Sequence, residues 1–164
     1  MKLLAIAEHF PSPYKVYHYV QFEQFLKEGH ELAVYAFGKH EGGVGRSGAT
    51  ASFVEQTRYL PATLHELPKF LRRLLVDFCR HPWRGAQRAV RAFAYPAPLK
   101  QRCLNLARAL LLPAQAPDFC IVHNLRAAVN VRFLSAIYPE AVIAMHYHGG
   151  EVQGVPVPPA ATVK

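Results

Sequence analysis

Apolar residues along the chain fall into two alternating patterns: short unbroken runs, and longer stretches that recur at three- and four-residue steps. Residues 3–7 form a wholly apolar run closed by a His-Phe-Pro-Ser-Pro loop, the pattern of a parallel strand buried on both faces. Val16, Tyr19, Val20, Phe22, Phe25 and Leu26 then mark one face of a helix, and Gly29 suits its C-cap. Residues 32–37 repeat the strand pattern, so the opening is a βαβ unit. A glycine-rich loop follows over residues 38–50, then a weaker strand around 53–59. From Leu67 a helix carries Phe70, Leu71, Leu74, Leu75 and Phe78 as one apolar stripe, with Lys69, Arg72 and Arg73 off it. Two further helices are predicted at about 83–94 and 99–112, separated by Tyr-Pro-Ala-Pro. The chain then returns to strand, helix and strand over 119–122, 124–137 and 141–145, with Asn124 placed to cap the helix.

Alternating strands and helices with apolar strands predict an α/β fold: a Rossmann-like open parallel sheet with helices on both faces, the strands from Leu3, Leu32, Phe119 and Ala141 at its centre. The 164 residues and 51% apolar content suit one domain with a continuous core. In such sheets ligands gather at the carboxyl ends of the strands. The loops to watch are therefore 9–15, 38–50, His123-Asn124 and 146–154.

Three cysteines, Cys79, Cys103 and Cys120, show no paired spacing, which argues against a disulfide framework or a cysteine zinc site and fits a reducing cytoplasm. The apolar start before Glu8 is too short for a signal-peptide core and far below the ~20 residues of a membrane span. The net charge of +8 is local: ten basic residues lie between Lys69 and Arg108 against Asp77 alone. That stretch is either a solvated helix face or a patch for an anionic surface, with Lys69, Arg72, Arg73, Arg84 and Arg88 as membrane-surface candidates and Phe70, Leu71, Leu74 and Phe78 packed inward. Nucleic acid is disfavoured as a partner, because no recognition helix or RNA-binding motif accompanies the charge.

The most informative segment is AVIAMHYHGGEVQG, residues 141–154, where a strand ends in His146-Tyr147-His148 and opens into Gly149-Gly150-Glu151. Paired glycines let backbone approach a bound group, and His148 and Glu151 offer polar atoms suited to sugar hydroxyls. The alternative is a strand-end turn with solvated histidines. DFCIVHNLR places His123 and Asn124 at another strand end, where they would share a cleft with His148; Asn124 would equally serve as a helix cap. A zinc site from His123, His146 and His148 is disfavoured, since alternate strand residues point to opposite faces. GxGxxG after the first strand, GxxxxGK[ST] and GxSxG are all missing, which disfavours dinucleotide, P-loop and α/β-hydrolase chemistry.

LLAIAEHFPSPYKVYHYVQFEQFLKEGHELAVYAFG resembles the start of glycosyltransferase family 4 proteins, and PDFCIVHNLRAA followed by AVIAMHYHGGEVQG is similar to that family's two later strand ends. The resemblance implies the amino-terminal, acceptor-side half of a GT-B enzyme spanning residues 1–164, whose carboxy-terminal sugar-nucleotide domain is absent from this chain. It implies retaining transfer from a nucleotide-sugar co-substrate to a glycan or lipid-linked acceptor, with no metal or cofactor. By position His148 matches the strand-end histidine that reaches the transferred sugar, and Pro13, Tyr14, Lys15, His123, Asn124, Gly149, Gly150 and Glu151 would face acceptor or donor. Two departures stand out. The family's first loop carries a Gly pair where this chain has Pro11-Ser12-Pro13-Tyr14-Lys15, and the E-x7-E spacing of Glu23 and Glu31 spans a helix end and a turn rather than the second domain. The expected location is cytoplasmic, peripheral on the inner face of the membrane. The reading of a different class is a non-catalytic module that docks on membrane or a partner through its basic helices.

Overall fold

The computed structural model describes residues 1–12, 16–39 and 54–146. Its strands are β1 (Lys2–His9), β2 (Glu31–Gly38), β3 (Arg58–Tyr59), β4 (Phe119–His123) and β5 (Val142–His146). The helices are α1 (Val16–Lys27), α2 (Leu67–Arg80), α3 (Pro82–Ala94), α4 (Leu99–Leu111), α5 (Leu125–Asn130) and α6 (Leu134–Ile137). All five strands are parallel, in the order β3-β2-β1-β4-β5. The fold is an α/β Rossmann-like open sheet, as the alternation of patterns predicts.

The period of two along each strand sorts the core onto two faces. Leu4, Ile6, Tyr35, Cys120 and Val122 point to one face, where they meet Ala92 of α3, Ala109 and Leu111 of α4, and Leu134 and Ile137 of α6. Ala5, Ala7, Val34 and Ala36 point to the other, where Tyr19 and Phe22 of α1 close over them with Phe10. Among the described residues the two faces are unequally dressed, with α2 to α6 on the first and α1 and the turn at Val54 on the second. Gly29 takes φ +77°, a left-handed conformation suited to glycine, and so ends α1 as its position predicts.

Four details depart from the sequence pattern. The predicted strand over 53–59 shrinks to β3, with a helical turn at 54–56 before it. The predicted helix over 124–137 divides into α5 and α6, because Arg108 Nη1 takes the carbonyl of Asn130 at 2.9 Å and Leu134 N–H bonds Val131 O instead. β5, like β3, is an edge strand among the described residues rather than a central one, and its Val142 and Met145 are exposed. On α2 only Phe70 and Leu74 reach the core, whereas Leu71 and Phe78 stay exposed, since the packed strip is narrower than the apolar stripe. None of the described helices is long and apolar enough to cross a membrane.

Candidate functional site

Parallel pairing brings the carboxyl ends of β1, β2, β4 and β5 to one edge of the sheet, with His9 opposite Gly38, Ala7 opposite His123, and His123 opposite His146. From β1 the chain runs outward one way through β2 and β3, and from β4 the other way to β5. Neighbouring β1 and β4 are followed by helices on opposite faces, α1 on one and α5 on the other. Their ends therefore flank the switch point of the strand order, the usual ligand position of an open α/β sheet.

Glu8 and Asn124 stand at that switch point. Asn124 has φ 73° and ψ 160°, a region that side-chain-bearing residues rarely enter and that costs about 1–3 kcal/mol. Three bonds hold it there. Its Oδ1 accepts the Ala127 N–H at 2.9 Å, its Nδ2 donates to Glu8 Oε2 at 3.0 Å, and its backbone N–H donates to His146 O at 3.1 Å. Arg126 Nη1 lies 3.4 Å from the other Glu8 oxygen. The carboxylate is thus oriented from both sides while its side chain remains 22% exposed. Asn124 both caps α5 and ties the two strand ends together. Glu8 was legible in the sequence only as the polar residue that closes the first apolar run; its partner across 116 positions was not.

His123 packs under α1. It is fully buried, its ring 4.2 Å from that of His18 and 5.4 Å from that of His146, with the equally buried His18 stacked at 9° to Phe22. The period of two explains this, because α1 covers the sheet just where β4 ends. His123 and His18 pack together on the α1 side of the sheet. On the β2 side, Gly38 admits the His9 ring: a Cβ there would stand 3.0 Å from His9 Cδ2. Tyr59 donates to Phe10 O at 3.3 Å and so anchors the turn after β1; burial, with Tyr19 nearby, raises its phenol above the usual range. Pro13, Tyr14, Lys15, His148, Gly149, Gly150 and Glu151 lie outside the described residues. Among the described residues no group of His, Cys, Asp and Glu side chains is arranged to hold a metal ion. A cavity of about 630 Å³ runs along β2 and β3 between Leu32 and Arg58, and none of the predicted site residues lines it.

The basic candidates separate. Lys69, Arg72 and Arg84 are exposed. Arg88 is only 7% exposed and is turned inward: Nη1 donates to Leu112 O at 2.8 Å and to Pro113 O, and Nε to Arg84 O at 3.3 Å. Arg73 is half-buried, bonded to Tyr59 O at 3.3 Å and paired with Asp77 at 3.5 Å. Neither belongs to a surface patch, because irregular loops below the helices have carbonyls that the arginine fork satisfies.

No family model, curated protein or solved structure matches the chain.

Proposed function

We propose that this chain is the acceptor-side half of a retaining glycosyltransferase of the GT-B type. The observation that carries the reading is the Glu8–Asn124 pair at the switch point of a parallel sheet. Strained backbone held by side-chain bonds clusters at functional sites, and a carboxylate beside an amide is the donor and acceptor set that sugar hydroxyls need. The sequence likeness to family 4 supplies the substrate class: a nucleotide-sugar donor, held mainly by a second domain, and a glycan or lipid-linked acceptor on this one. Under this reading His148, two residues beyond β5 in the sequence, supports charge as the donor bond breaks, and Lys15 offers a charge to the departing phosphate.

Transfer needs both walls of a cleft to bring donor and acceptor together, so these residues alone should not turn over. The test is ligand-observed NMR with two probes, a nucleotide-hexose and a polyprenyl-diphosphate-linked monosaccharide, beside an assay for transfer. Acceptor binding that Glu8→Gln abolishes, with no transfer, supports the proposal. Robust transfer by this chain, or acceptor binding indifferent to Glu8→Gln and Asn124→Ala, overturns it. In an enzyme that supplies the second domain, His148→Ala should depress kcat more than it raises KM for acceptor; unchanged turnover would remove His148 from the site.

A further inference from the structure

The α2–α3 layer shows a surface that the core does not explain. Helix α2 packs through Phe70 and Leu74, yet Leu71 and Leu75, one turn apart, are each 57% exposed. At 100° per residue they form a strip beside the packed face, so the apolar arc of α2 is wider than the core covers. Helix α3 repeats this. Gly85, Arg88 and Ala92 are buried, while Trp83 and Val90, seven residues apart, are 75% and 68% exposed. On each helix exposed cations flank the apolar strip: Lys69 and Arg72 on α2, Arg84 and Arg91 on α3. The single acid across both helices, Asp77, is taken by Arg73.

We propose that the α2–α3 face docks on an anionic lipid bilayer, its Leu71–Leu75 and Trp83–Val90 strips entering the headgroup boundary while the flanking cations meet lipid phosphates. Charge and apolarity together select this partner. Nucleic acid would answer the cations but leave leucines and valine in water. A second copy would cover the apolar strips but set like charges against one another. An amphipathic surface with Trp at the rim and Lys or Arg beside it matches both the apolar boundary and the negative potential of an anionic leaflet. The proposal rests on helices remote in sequence from the strand-end site and stands whether or not that site handles sugars.

Trp83 is the only tryptophan in the chain, so its emission reports this surface directly. The full chain is titrated with phosphatidylglycerol vesicles and with phosphatidylcholine vesicles, at low and high salt, following emission and co-sedimentation. The expected result is a blue shift and pelleting with phosphatidylglycerol alone, weakening with salt. Arg72→Gln with Arg84→Gln should lower the partition coefficient about 25-fold, from about fivefold per cation near the surface. Leu71→Ser with Leu75→Ser should weaken binding at least about tenfold through lost apolar burial. Both pairs are exposed, so thermal unfolding should be unchanged and loss of binding cannot be loss of fold. Arg73 and Arg88 are left intact because they hold loops. Wild-type binding by either variant, equal binding to both lipids, no blue shift, or a shift on concentration without lipid would each overturn the proposal. Binding of a short RNA duplex in place of vesicles would do the same.

Discussion

Arg84 and Arg88 stand four residues apart on one helix, yet Arg84 is open to solvent while Arg88 is 7% exposed with its guanidinium on the carbonyls of Leu112 and Pro113. The same division runs through the layer, with Lys69 and Arg72 outside and Arg73 and Arg108 inside. Composition treats all of them as one patch. What separates them is angle on the helix and what lies below: the end of β3 and the residues after it, the loop after α4, and the end of α5 present carbonyls that the arginines take. Arginine spans that gap with an apolar stem and a planar fork.

Arg108 should give the largest effect. It is fully buried, bonds Pro61 O, Ala62 O and Asn130 O at 2.9–3.1 Å, and lies 4.9 Å over the Phe37 ring. Burial lowers its pKa to about 10, with Glu66 opposing, so it remains a cation at neutral pH. Arg108→Met should cost about 3–5 kcal/mol, since each buried carbonyl left without a donor costs about 1–3 kcal/mol and only part returns as relief of burying charge. Urea unfolding measures it. A loss below about 1 kcal/mol would mean that the inward arginines are no more structural than the outward ones. Arg108→Lys should restore little, because one ammonium cannot reach three carbonyls spread around a planar fork.

The strand edge offers a sharper contrast, because there side chain and backbone can be separated. Asn124→Ala loses the cap, at about 1 kcal/mol, and the Glu8 bond, at about 1 kcal/mol, while keeping the unfavourable φ. Asn124→Gly loses the same bonds but relieves the backbone, so its net change should stay within about 1 kcal/mol. Chemical denaturation of the two variants should therefore differ in favour of Gly. If they are equally stable, the positive φ stores no strain.

A smaller effect separates Cys120, buried on β4, from exposed Cys79. Burial pushes the Cys120 thiol up to about 12. The folded chain keeps a proton that the unfolded chain sheds from about pH 9, so this contribution is whole at neutral pH and falls between about pH 9 and 12, by at most about 1.4 kcal/mol per pH unit. Cys120→Val should flatten the alkaline loss measured from pH 8.5 to 10.5, and Cys79→Val should not. In the native state a thiol reagent should label Cys79 and spare Cys120.

Much of the fold was legible because its signals are local. A five-residue apolar run names β1 without knowledge of its neighbours, and the Gly29 cap needs only the helix before it. The signals that failed are tertiary. Nothing within residues 124–137 announces that Arg108 will take the Asn130 carbonyl and split the helix. The period of two tells which strand residues alternate but not that α1 lies over His123, whose ring is buried against His18 and Phe22. Asn124 was readable as a cap from its place before a helix; its bond to Glu8 joins residues that only the sheet order makes neighbours.

The smallest effect should come from the outward cations. Lys69→Gln, Arg72→Gln and Arg84→Gln combined should change unfolding free energy by less than about 0.5 kcal/mol, the usual range for surface substitutions that touch no cap, core or network. The sign should lean toward stabilisation, because Lys69, Arg72, Arg80 and Arg84 share an exposed layer in which Asp77 is already engaged by Arg73. Raising salt should erase that gain, since screening removes repulsion from the wild type and leaves the neutral variant alone. Arg88→Gln, by contrast, should cost about 2 kcal/mol at any salt, since its loss is of buried hydrogen bonds. If the triple variant loses as much as Arg88→Gln, the outward cations also hold structure, and the division between the two sets fails.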